Sequence, residues 1–376
     1  GFIRWIQNLS GGDSNQWELS HFFQRQRLDY KDLDKELKSN STIQSHIVRL
    51  NHRTSRSGSL LLQSRVEGGY FNVQSSDYIS VKERYYAAHY QRVLLSLDEG
   101  YQLRLEAKQQ WQTDEDWHWT ASAGMEYNPI SSVVLFLQAG KQTVTPTFND
   151  LYWPVYGNPN LRPEDIWTME GGIKWNLFEV PLGAAVWDVN THLGYYFNHV
   201  NEGIRWVPNG QGHSSPVNIE SLQSEGLEWN LDLAVGFGEW SWLMKSGIYQ
   251  TKAHIDEPRY ENDPALGKQL RYTPEWQFKH HGRLAFKQWG WVLAHEHVGP
   301  RYSSADHSSP FDPLESYGVW NSSISWAPKT DRREVLLQLE VKNIQDQKYE
   351  QVLHYPMPGR HIYFKIQLKH LQPEKK

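Results

Sequence analysis

Apolar and polar residues take turns at every second position along much of this chain, and that period fixes what the chain can become. Tyr101, Leu103, Leu105, Ala107 and Trp111 alternate with Gln102, Arg104, Glu106, Lys108 and Gln110. Val335, Leu337, Leu339 and Val341 alternate with Leu336, Gln338, Glu340 and Lys342, and Ile362, Phe364, Ile366 and Leu368 with Tyr363, Lys365, Gln367 and Lys369. A period of two places one side-chain set on each face of a β-strand. A soluble sandwich shows the same alternation, so the connections must separate the two cases.

Tight turns fall at Ser55–Gly58, Asp98–Gly100, Asn128–Ser131, Glu179–Pro181, Gly236–Glu239, Gln288–Gly290 and Ala327–Arg332. Longer polar segments fall at 27–40, 70–83, 144–164, 201–215, 252–271, 300–315 and 344–360, with Thr113–Asp116 a short member of that class. Short and long connections take turns, which puts short turns on one rim and long loops on the other, as in an outer-membrane barrel. Counting on this scheme gives about 17 strands, each near the ~10 residues of a tilted membrane strand. The last strand, 361–370, and the first, around 2–9, both run toward the short-turn rim. An odd number is anomalous for a single-chain bacterial barrel. Strands lying before Gly1 would resolve it, and Gly1-Phe2-Ile3-Arg4-Trp5-Ile6 itself reads as mid-strand, without a signal peptide's features.

Composition fits this architecture. Aromatics are 14% of the chain, with 18 Trp and 20 Tyr, while the hydrophobic fraction is 39%. No apolar run approaches the ~18–20 residues a membrane helix needs, whereas a barrel dilutes its hydropathy because alternate residues face a polar lumen. Tyr85, Tyr86, Trp117, Trp119, Tyr127, Trp175, Tyr195 to Phe197, Trp240, Trp242, Trp289, Trp291 and Trp326 sit near strand ends. They read as an aromatic girdle, the alternative being a soluble core. The net charge of -5 gives no reason to expect a nucleic-acid partner, and the absence of cysteine rules out disulfides and thiolate metal sites.

One stretch carries a family likeness. Thr145-Pro146-Thr147-Phe148-Asn149-Asp150-Leu151-Tyr152-Trp153, followed by Gly157-Asn158-Pro159-Asn160-Leu161-Arg162-Pro163-Glu164, resembles the extracellular-loop signature of TonB-dependent outer-membrane transporters. Further pieces follow in that family's order: Asn218 to Glu228; Leu270 to Glu275; His297-Val298-Gly299-Pro300-Arg301-Tyr302; Val341 to Glu350, with Asn343; and Pro356-Met357-Pro358-Gly359-Arg360. The resemblance implies an all-β, antiparallel, up-and-down transmembrane barrel occupying residues 1–376, with 144–164 as its motif-bearing extracellular loop. Such barrels have 22 strands and an N-terminal plug. The expectation is therefore a C-terminal portion with about 17 of the 22 strands, lacking the plug. One departure is the run His370-Leu371-Gln372-Pro373-Glu374-Lys375-Lys376 after the last strand, where the family usually ends on an aromatic.

By their chemistry the motif residues are mainly structural. Pro146, Pro159 and Pro163 fix φ and break strand pairing, so the chain must fold over the strand ends. Phe148, Asn149, Asp150, Leu151, Asn158, Leu161 and Glu164 complete the motif. Asn343 and Asp346 suit a turn, Gly359 allows a close approach or a positive φ, and Arg360 precedes the closing strand.

The function the resemblance implies is a non-enzymatic one: active uptake of a scarce nutrient across the bacterial outer membrane, powered by TonB. The partners implied are outer-membrane lipid and lipopolysaccharide, the TonB complex through the N-terminal part, the nutrient, and a separate plug-bearing chain or surface lipoprotein. Pro154-Val155-Tyr156-Gly157 stand where the haem branch places a histidine, which lowers haem. The compact spacing looks like the vitamin B12 and siderophore branches, with cobalamin favoured over a ferric siderophore. Tyr152, Trp153, Tyr156 and Trp206 either stack on a corrin or aromatic chelate or anchor the loops to one another. The alternative function is a passive porin-like or adhesin barrel without energy coupling.

Other candidates are weaker. His295 and His297 share one side of a strand and could clasp a metal, or simply line the wall. His280 and His281 face opposite sides. Asp114-Glu115-Asp116 and Asp256, Glu257, Glu261 and Asp263 carry ligands suited to calcium, or are solvated loop tips. No resident cofactor or metal is otherwise expected, and no nucleophile–base spacing or phosphate-binding glycine loop is present. If the chain is a membrane barrel, unheated protein in a detergent gel migrates differently from boiled protein. Solubility in plain buffer with no such shift would exclude the membrane reading.

Overall fold

The structure, a computed structural model, describes residues 2–10, 14–32, 37–56, 58–97, 100–208, 214–258, 260–328 and 333–370. Residues 57, 98–99 and 329–332 of three expected turns lie outside the described residues. So do 33–36, 209–213 and 259 of three expected loops and 371–376 of the C-terminal run.

Eight strands precede a short helix: β1 (Phe2–Ser10), β2 (Asn15–Asp32), β3 (Leu37–Arg56), β4 (Leu60–Ser75), β5 (Lys82–Ser96), β6 (Tyr101–Gln112), β7 (Glu115–Ile130) and β8 (Val133–Val144). The helix is α1 (Phe148–Tyr152). Then come β9 (Glu164–Leu182), β10 (Ala185–Pro208), β11 (Ser214–Phe237), β12 (Trp240–Glu257), β13 (Trp276–Phe286), β14 (Trp289–Val298), β15 (Tyr317–Trp326) and β16 (Arg333–Lys342). A small hairpin, β17 (Glu350–Val352) and β18 (Tyr355–Pro356), precedes β19 (His361–His370). Among the described residues seventeen strands, all but the small hairpin, belong to one sheet, the number the alternation implies. The first and last strands fall within a residue of their expected bounds.

Strand length differs from expectation. β10 and β11 have 24 residues each, and β3 has 20. At ~3.3 Å per residue a 24-residue strand is about 80 Å long, far more than a hydrocarbon layer of ~30 Å requires. The expected loop at 27–40 is mostly a ladder: Arg27 pairs with Thr42, and pairing continues to Asp32 opposite Leu37. Loss of apolar alternation marks the end of the apolar face, not the end of hydrogen bonding, because a polar strand pairs as well in water. The turn expected at Glu179–Pro181 sits slightly later, since β9 runs to Leu182 and β10 begins at Ala185.

The chain forms two compact units, Gly1–Asn128 with Phe136–Met169 and Asn198–Leu222, and Pro129–Leu135 with Glu170–Phe197 and Gln223–Lys376. In the first unit the registers put Leu50, Val66, His89 and Gln109 in one row of a face, and Leu62, Val93, Leu105 and Ala123 in another. Val66 and Leu105 are exposed there. The opposite face carries ion pairs: Arg49–Glu67 at 2.9 Å, Arg92–Glu106 at 2.8 Å and Arg104–Glu126 at 3.7 Å. In the second unit Trp242, Leu284, Trp291, Ile324 and Leu339 lie across one face, and Lys279 and Glu296 pair across the other at 3.5 Å. A broad exposed apolar face is untenable in water and natural against lipid.

Most buried apolar side chains, including Val73, Leu151, Leu161, Leu222, Ile255, Val298 and Tyr317, lie where strands meet the long connections. The packed part of each unit is thus at its loop end. The aromatics divide as well. Trp117, Trp119, Trp240, Trp289 and Trp291 are exposed on the apolar face. Tyr86 and Tyr196, expected in the girdle, instead lie over glycines of neighbouring strands, Gly69 and Gly226. Bare glycine leaves the slot that each ring fills, the pairing known as aromatic rescue. Tyr196 is then fixed by Thr251, hydroxyl to hydroxyl at 2.9 Å.

A Cβ at Gly226 would run into the Gln250 carbonyl and lie 2.7 Å from the Tyr196 hydroxyl. Gly226→Ala should therefore destabilise the protein by about 1–3 kcal/mol through overpacking. A lowered urea midpoint in detergent micelles is the expected result, while Gly236→Ala, where a Cβ meets nothing within 4 Å, should leave it unchanged.

Candidate functional site

The motif 144–164 becomes a built object in the first unit. Pro146 is fully buried and ends β8's pairing. Thr147 then caps α1, an element the loop reading does not foresee. The Thr147 side chain accepts from the Asp150 amide, and the Asp150 carboxylate accepts from the Thr147 amide at 2.9 Å and hydroxyl at 2.6 Å. This reciprocal box satisfies donors that a helix start leaves open.

Asp150 does more than cap. Its second carboxylate oxygen accepts from the Trp206 indole N–H at 2.9 Å, and its carbonyl accepts from the Asn158 amide at 2.7 Å. One residue thereby ties α1 to β10 and to the Gly157–Glu164 half of the motif. Asn149 accepts from the Tyr78 hydroxyl at 2.6 Å, drawing in the β4–β5 connection. Leu151 points into the packed rim at 6% exposure. At Gly157 a Cβ would lie 2.5 Å from the Trp153 amide and 2.9 Å from the Leu151 carbonyl, so this turn admits glycine alone.

The second half is anchored by Asn218 of β11. Its carboxamide accepts from the Arg162 amide at 2.9 Å and donates to the Arg162 carbonyl at 2.9 Å and the Glu202 carbonyl at 2.6 Å. Glu164 accepts from the Ile204 amide at 2.5 Å, and Arg162 pairs with Glu202 at 2.7 Å. Asn158 donates to the Pro216 carbonyl at 3.2 Å, and Leu161 is buried. Pro159 is exposed and Pro163 half-buried.

Beneath α1 lies Arg84 of β5, at 8% exposure. It pairs with Asp114 at 2.9 Å, donates to the Pro146 carbonyl at 3.1 Å, and sits 4.6 Å from the Phe148 ring centre. Lys82 lies 4.4 Å over the Tyr152 ring, so Tyr152 turns toward this cationic strand. Burial pushes the phenols of Tyr78 and Tyr152 above their ordinary value, which keeps both as neutral donors at physiological pH.

An open cleft of about 970 Å³ lies on the other side of α1. Trp153, Pro154, Val155, Tyr156 and Trp206 give it aromatic and apolar walls, and Asp77 and Asp150 are its charged lining residues. Three of the four aromatics singled out in the sequence meet here; Tyr152 does not line it. Val155 is 92% exposed and holds a positive φ of 67°, presenting its side chain at the cleft mouth.

Apart from Asp114–Asp116, the remaining singled-out residues lie in the second unit, and several of them knit loops. Asn343, 3% exposed, donates to the carbonyls of Gln347 and Pro358 and accepts from the Gln347 amide. Gly359 serves close approach: a Cβ would lie 2.8 Å from the Asp346 carboxylate, which accepts from the Arg360 amide at 2.7 Å. The Arg360 side chain itself is exposed. Arg301, buried, donates to the Glu315, Glu350 and Gln351 carbonyls and joins two loops. Burial pushes the Asp312 carboxyl up, but hydrogen bonds from Ser303 and Ser304 outweigh it and hold it at about 2. His295 and His297 share a face, and His280 stacks on His295 at 6.0 Å. Asp114 is engaged by Arg84. Among the described residues no group of three or more His, Asp or Glu is arranged to hold a metal ion.

Arg84, Tyr78, Asp77 and Asn218's bridging role are not legible in the sequence, because Arg84, Tyr78 and Asn218 act across 56 or more residues of separation. The capping signature Thr147-x-x-Asp150 is the one local signal that could reveal α1.

The family model for TonB dependent receptor-like β-barrels matches residues 4–344. The vitamin B12 transporter BtuB of Vibrio vulnificus (strain YJ016) is 26% identical over 237 residues, 62% of this chain and 33% of that protein. That of Photobacterium profundum is 26% identical over 190 residues, 50% of this chain and 28% of that one. The chain thus spans about a third of the length of these relatives. Among solved structures, the copper transporter OprC superposes with a TM-score of 0.73 at 12% identity, over 98% of this chain and 65% of its own. The FrpB iron transporter from Neisseria meningitidis (F5-1 variant, apoprotein) does so with a TM-score of 0.71 at 12% identity, over 98% and 64%. At such identities the likeness is one of fold.

Arg84→Gln should loosen α1 and the motif turn by about 2–3 kcal/mol, since it strands the Asp114 carboxylate and the Pro146 carbonyl. Hydrogen exchange at residues 147–157 checks this. Faster exchange there, with β2–β4 unchanged, is the expected outcome.

Proposed function

The chain belongs to the TonB-dependent receptor β-barrel family, and we propose that it forms the wall and ligand-binding rim of an outer-membrane uptake receptor. The cargo we assign is a bulky corrinoid of the cobalamin type in preference to a ferric siderophore. TonB supplies the energy, acting through a plug seated against the polar face of the strands.

The observation that carries this reading is the cleft beside α1. It is large, near the top of the ~300–1,000 Å³ range of small-molecule sites. Its walls are three aromatic rings, Trp153 and Tyr156 on the capped turn and Trp206 on β10, suited to stacking on a flat, conjugated surface. Its charged lining residues, Asp77 and Asp150, are both acidic. A ferric catecholate complex is a polyanion and would meet like charge there, whereas a corrinoid's amide-rimmed macrocycle has no such conflict. Lys82 and Arg84, the nearby cations, are already engaged by Tyr152, Asp114 and the Pro146 carbonyl. Two vitamin B12 transporters among the relatives support the same choice. The family and the exposed apolar face, which lipid would cover, support placement in the outer membrane.

Calorimetric titration of the detergent-solubilised protein with cyanocobalamin and with ferric catecholate and hydroxamate complexes tests the assignment. Cyanocobalamin should bind more tightly than either chelate, and Trp206→Ala should weaken it by about 2 kcal/mol or more, roughly 30-fold. Tighter binding of a ferric complex would overturn the cargo. Uptake of the bound nutrient that persists without a proton gradient would overturn energy coupling and favour a passive pore.

A further inference from the structure

A carboxyl group lies buried and unbonded beside the anchor of α1. Glu115 opens β7, and plain alternation along that strand would send it outward with Trp117 and Trp119. Instead the β6–β7 ladder shifts register: Gln110 pairs with His118 and Gln112 with Glu115, so Asp116 and Trp117 together face Trp111. A bulge of this kind re-aims a side chain. It turns Glu115 onto the polar face, beside Gln112 and His118. The Glu115 side chain is 8% exposed, and neither of its oxygens has a hydrogen-bond partner. His118 Nδ1 lies 3.8 Å away, beyond hydrogen-bond reach, and donates to the Asp116 carbonyl at 3.4 Å instead.

The groups around Glu115 decide what its charge would do. From β5 comes Arg84, the buried cation bonded to Asp114 and to the Pro146 carbonyl. Asp114 belongs to the β6–β7 connection. Tyr152 of α1 faces the same Arg84–Asp114 pair as a neutral phenol. His118 lies on β7 itself, and Lys108 of β6 and Asp165 of β9 act on His118. With Arg84 and Asp114 already neutralising each other, a second carboxylate has no counter-charge of its own. Burial pushes the Glu115 carboxyl up from 4.5 to about 7; Arg84 opposes the rise, Asp114 adds to it and the Gln112 amide opposes it. Glu115 stands on the loop side of the exposed Trp117 and Trp119, outside the membrane-spanning part of β7. Calcium offers no substitute for the proton: Asp114 is spent on Arg84, whose guanidinium would repel a cation placed at Glu115.

We propose that Glu115 is a proton-operated lock on the cleft beside α1. Protonated, it leaves Arg84 bonded to Asp114 and the Pro146 carbonyl, and the motif turn stays fixed. Ionised, it competes for Arg84, draws the guanidinium from the Pro146 carbonyl and loosens the turn that carries Trp153 and Tyr156; the proton passes to solvent. As regulation of the cleft, the proposal rests on that cleft being the ligand site. The direction follows from linkage. In the loosened state Glu115 is hydrated and titrates near its ordinary 4.5, so the closed turn is fully favoured below that pH and loses its advantage as pH rises to about 7.

Hydrogen exchange of residues 147–157 in detergent micelles, followed from about pH 5 to about pH 8 and corrected for intrinsic exchange, tests the lock. Protection should fall about tenfold or more between about pH 5 and about pH 7 in the unsubstituted protein and level off above that. Glu115→Gln, which cannot ionise, should hold protection constant with pH, while His118→Gln should keep the fall. Saturating cyanocobalamin should restore protection at about pH 8, because the ligand binds the closed turn. A flat profile in the unsubstituted protein would overturn the lock. So would a fall that persists in Glu115→Gln with its heat-modifiable migration intact, or one that His118→Gln abolishes. Failure of cyanocobalamin to slow exchange at any pH, beside the expected profile, would overturn the cargo assignment alone.

Discussion

Everything in this chain depends on hydrogen bonding between neighbouring strands. A sheet whose one face is apolar and exposed cannot leave backbone donors and acceptors to the solvent on that side, because hydrocarbon offers them nothing. The ladder must therefore be continuous wherever lipid touches it. The registers reflect this: β2 and β3 pair without interruption over the whole of β2, from Asn15 opposite Thr54 to Asp32 opposite Leu37. With the backbone satisfied strand to strand, the side chains are free to differ on the two faces. One becomes aliphatic and aromatic; the other becomes a lattice of arginine–glutamate pairs.

That division leaves little for a conventional core to do, and the buried side chains show where packing remains. They gather at the loop ends, where water is present and the chain must hold shape without a neighbouring strand. Pro146, Leu151 and Leu161 in the first unit and Val298, Tyr317 and Val319 in the second are such places. Polar hubs do the rest. Asp150, Asn218, Arg301 and Asn343 each bond several backbone or side-chain groups from distant segments. A hub of this kind costs desolvation only once while fixing two or three loops, which is why so few residues organise such long connections.

The sequence discloses the wall better than the rim. Alternation at 101–111, 335–341 and 362–368 reads out both faces, since a strand's side-chain period is a local property. Loop bounds at 27–40 and 201–215 fail because polar strands beyond the membrane keep pairing without the apolar signal. Position near a strand end puts Tyr86 and Tyr196 in the girdle, but a glycine on a neighbouring strand decides where a tyrosine ring lies. The structural character of the motif residues is legible from their chemistry, whereas α1 escapes a loop reading despite the Thr147–Asp150 signature. Arg84 and Tyr78 are invisible, as their partners are 62 and 71 positions away. Residues that act through long-range pairing leave no periodic trace in one sequence.

For the cleft's aromatics, loop anchoring is seen at Trp206, and it does not exclude the proposed ligand stacking. Trp206 donates its indole N–H to the carboxylate that also caps α1. With that hydrogen bond made, the polar edge of the ring is satisfied and its orientation is fixed. Such a ring loses little conformational freedom when a ligand stacks on it, so more of the contact energy is retained as affinity. Trp153 and Tyr156 gain the same advantage from the tight turn that only Gly157 permits. Anchoring of Trp206 is thus compatible with the proposed stacking, because a ring already held in place loses less freedom when a flat ligand meets it.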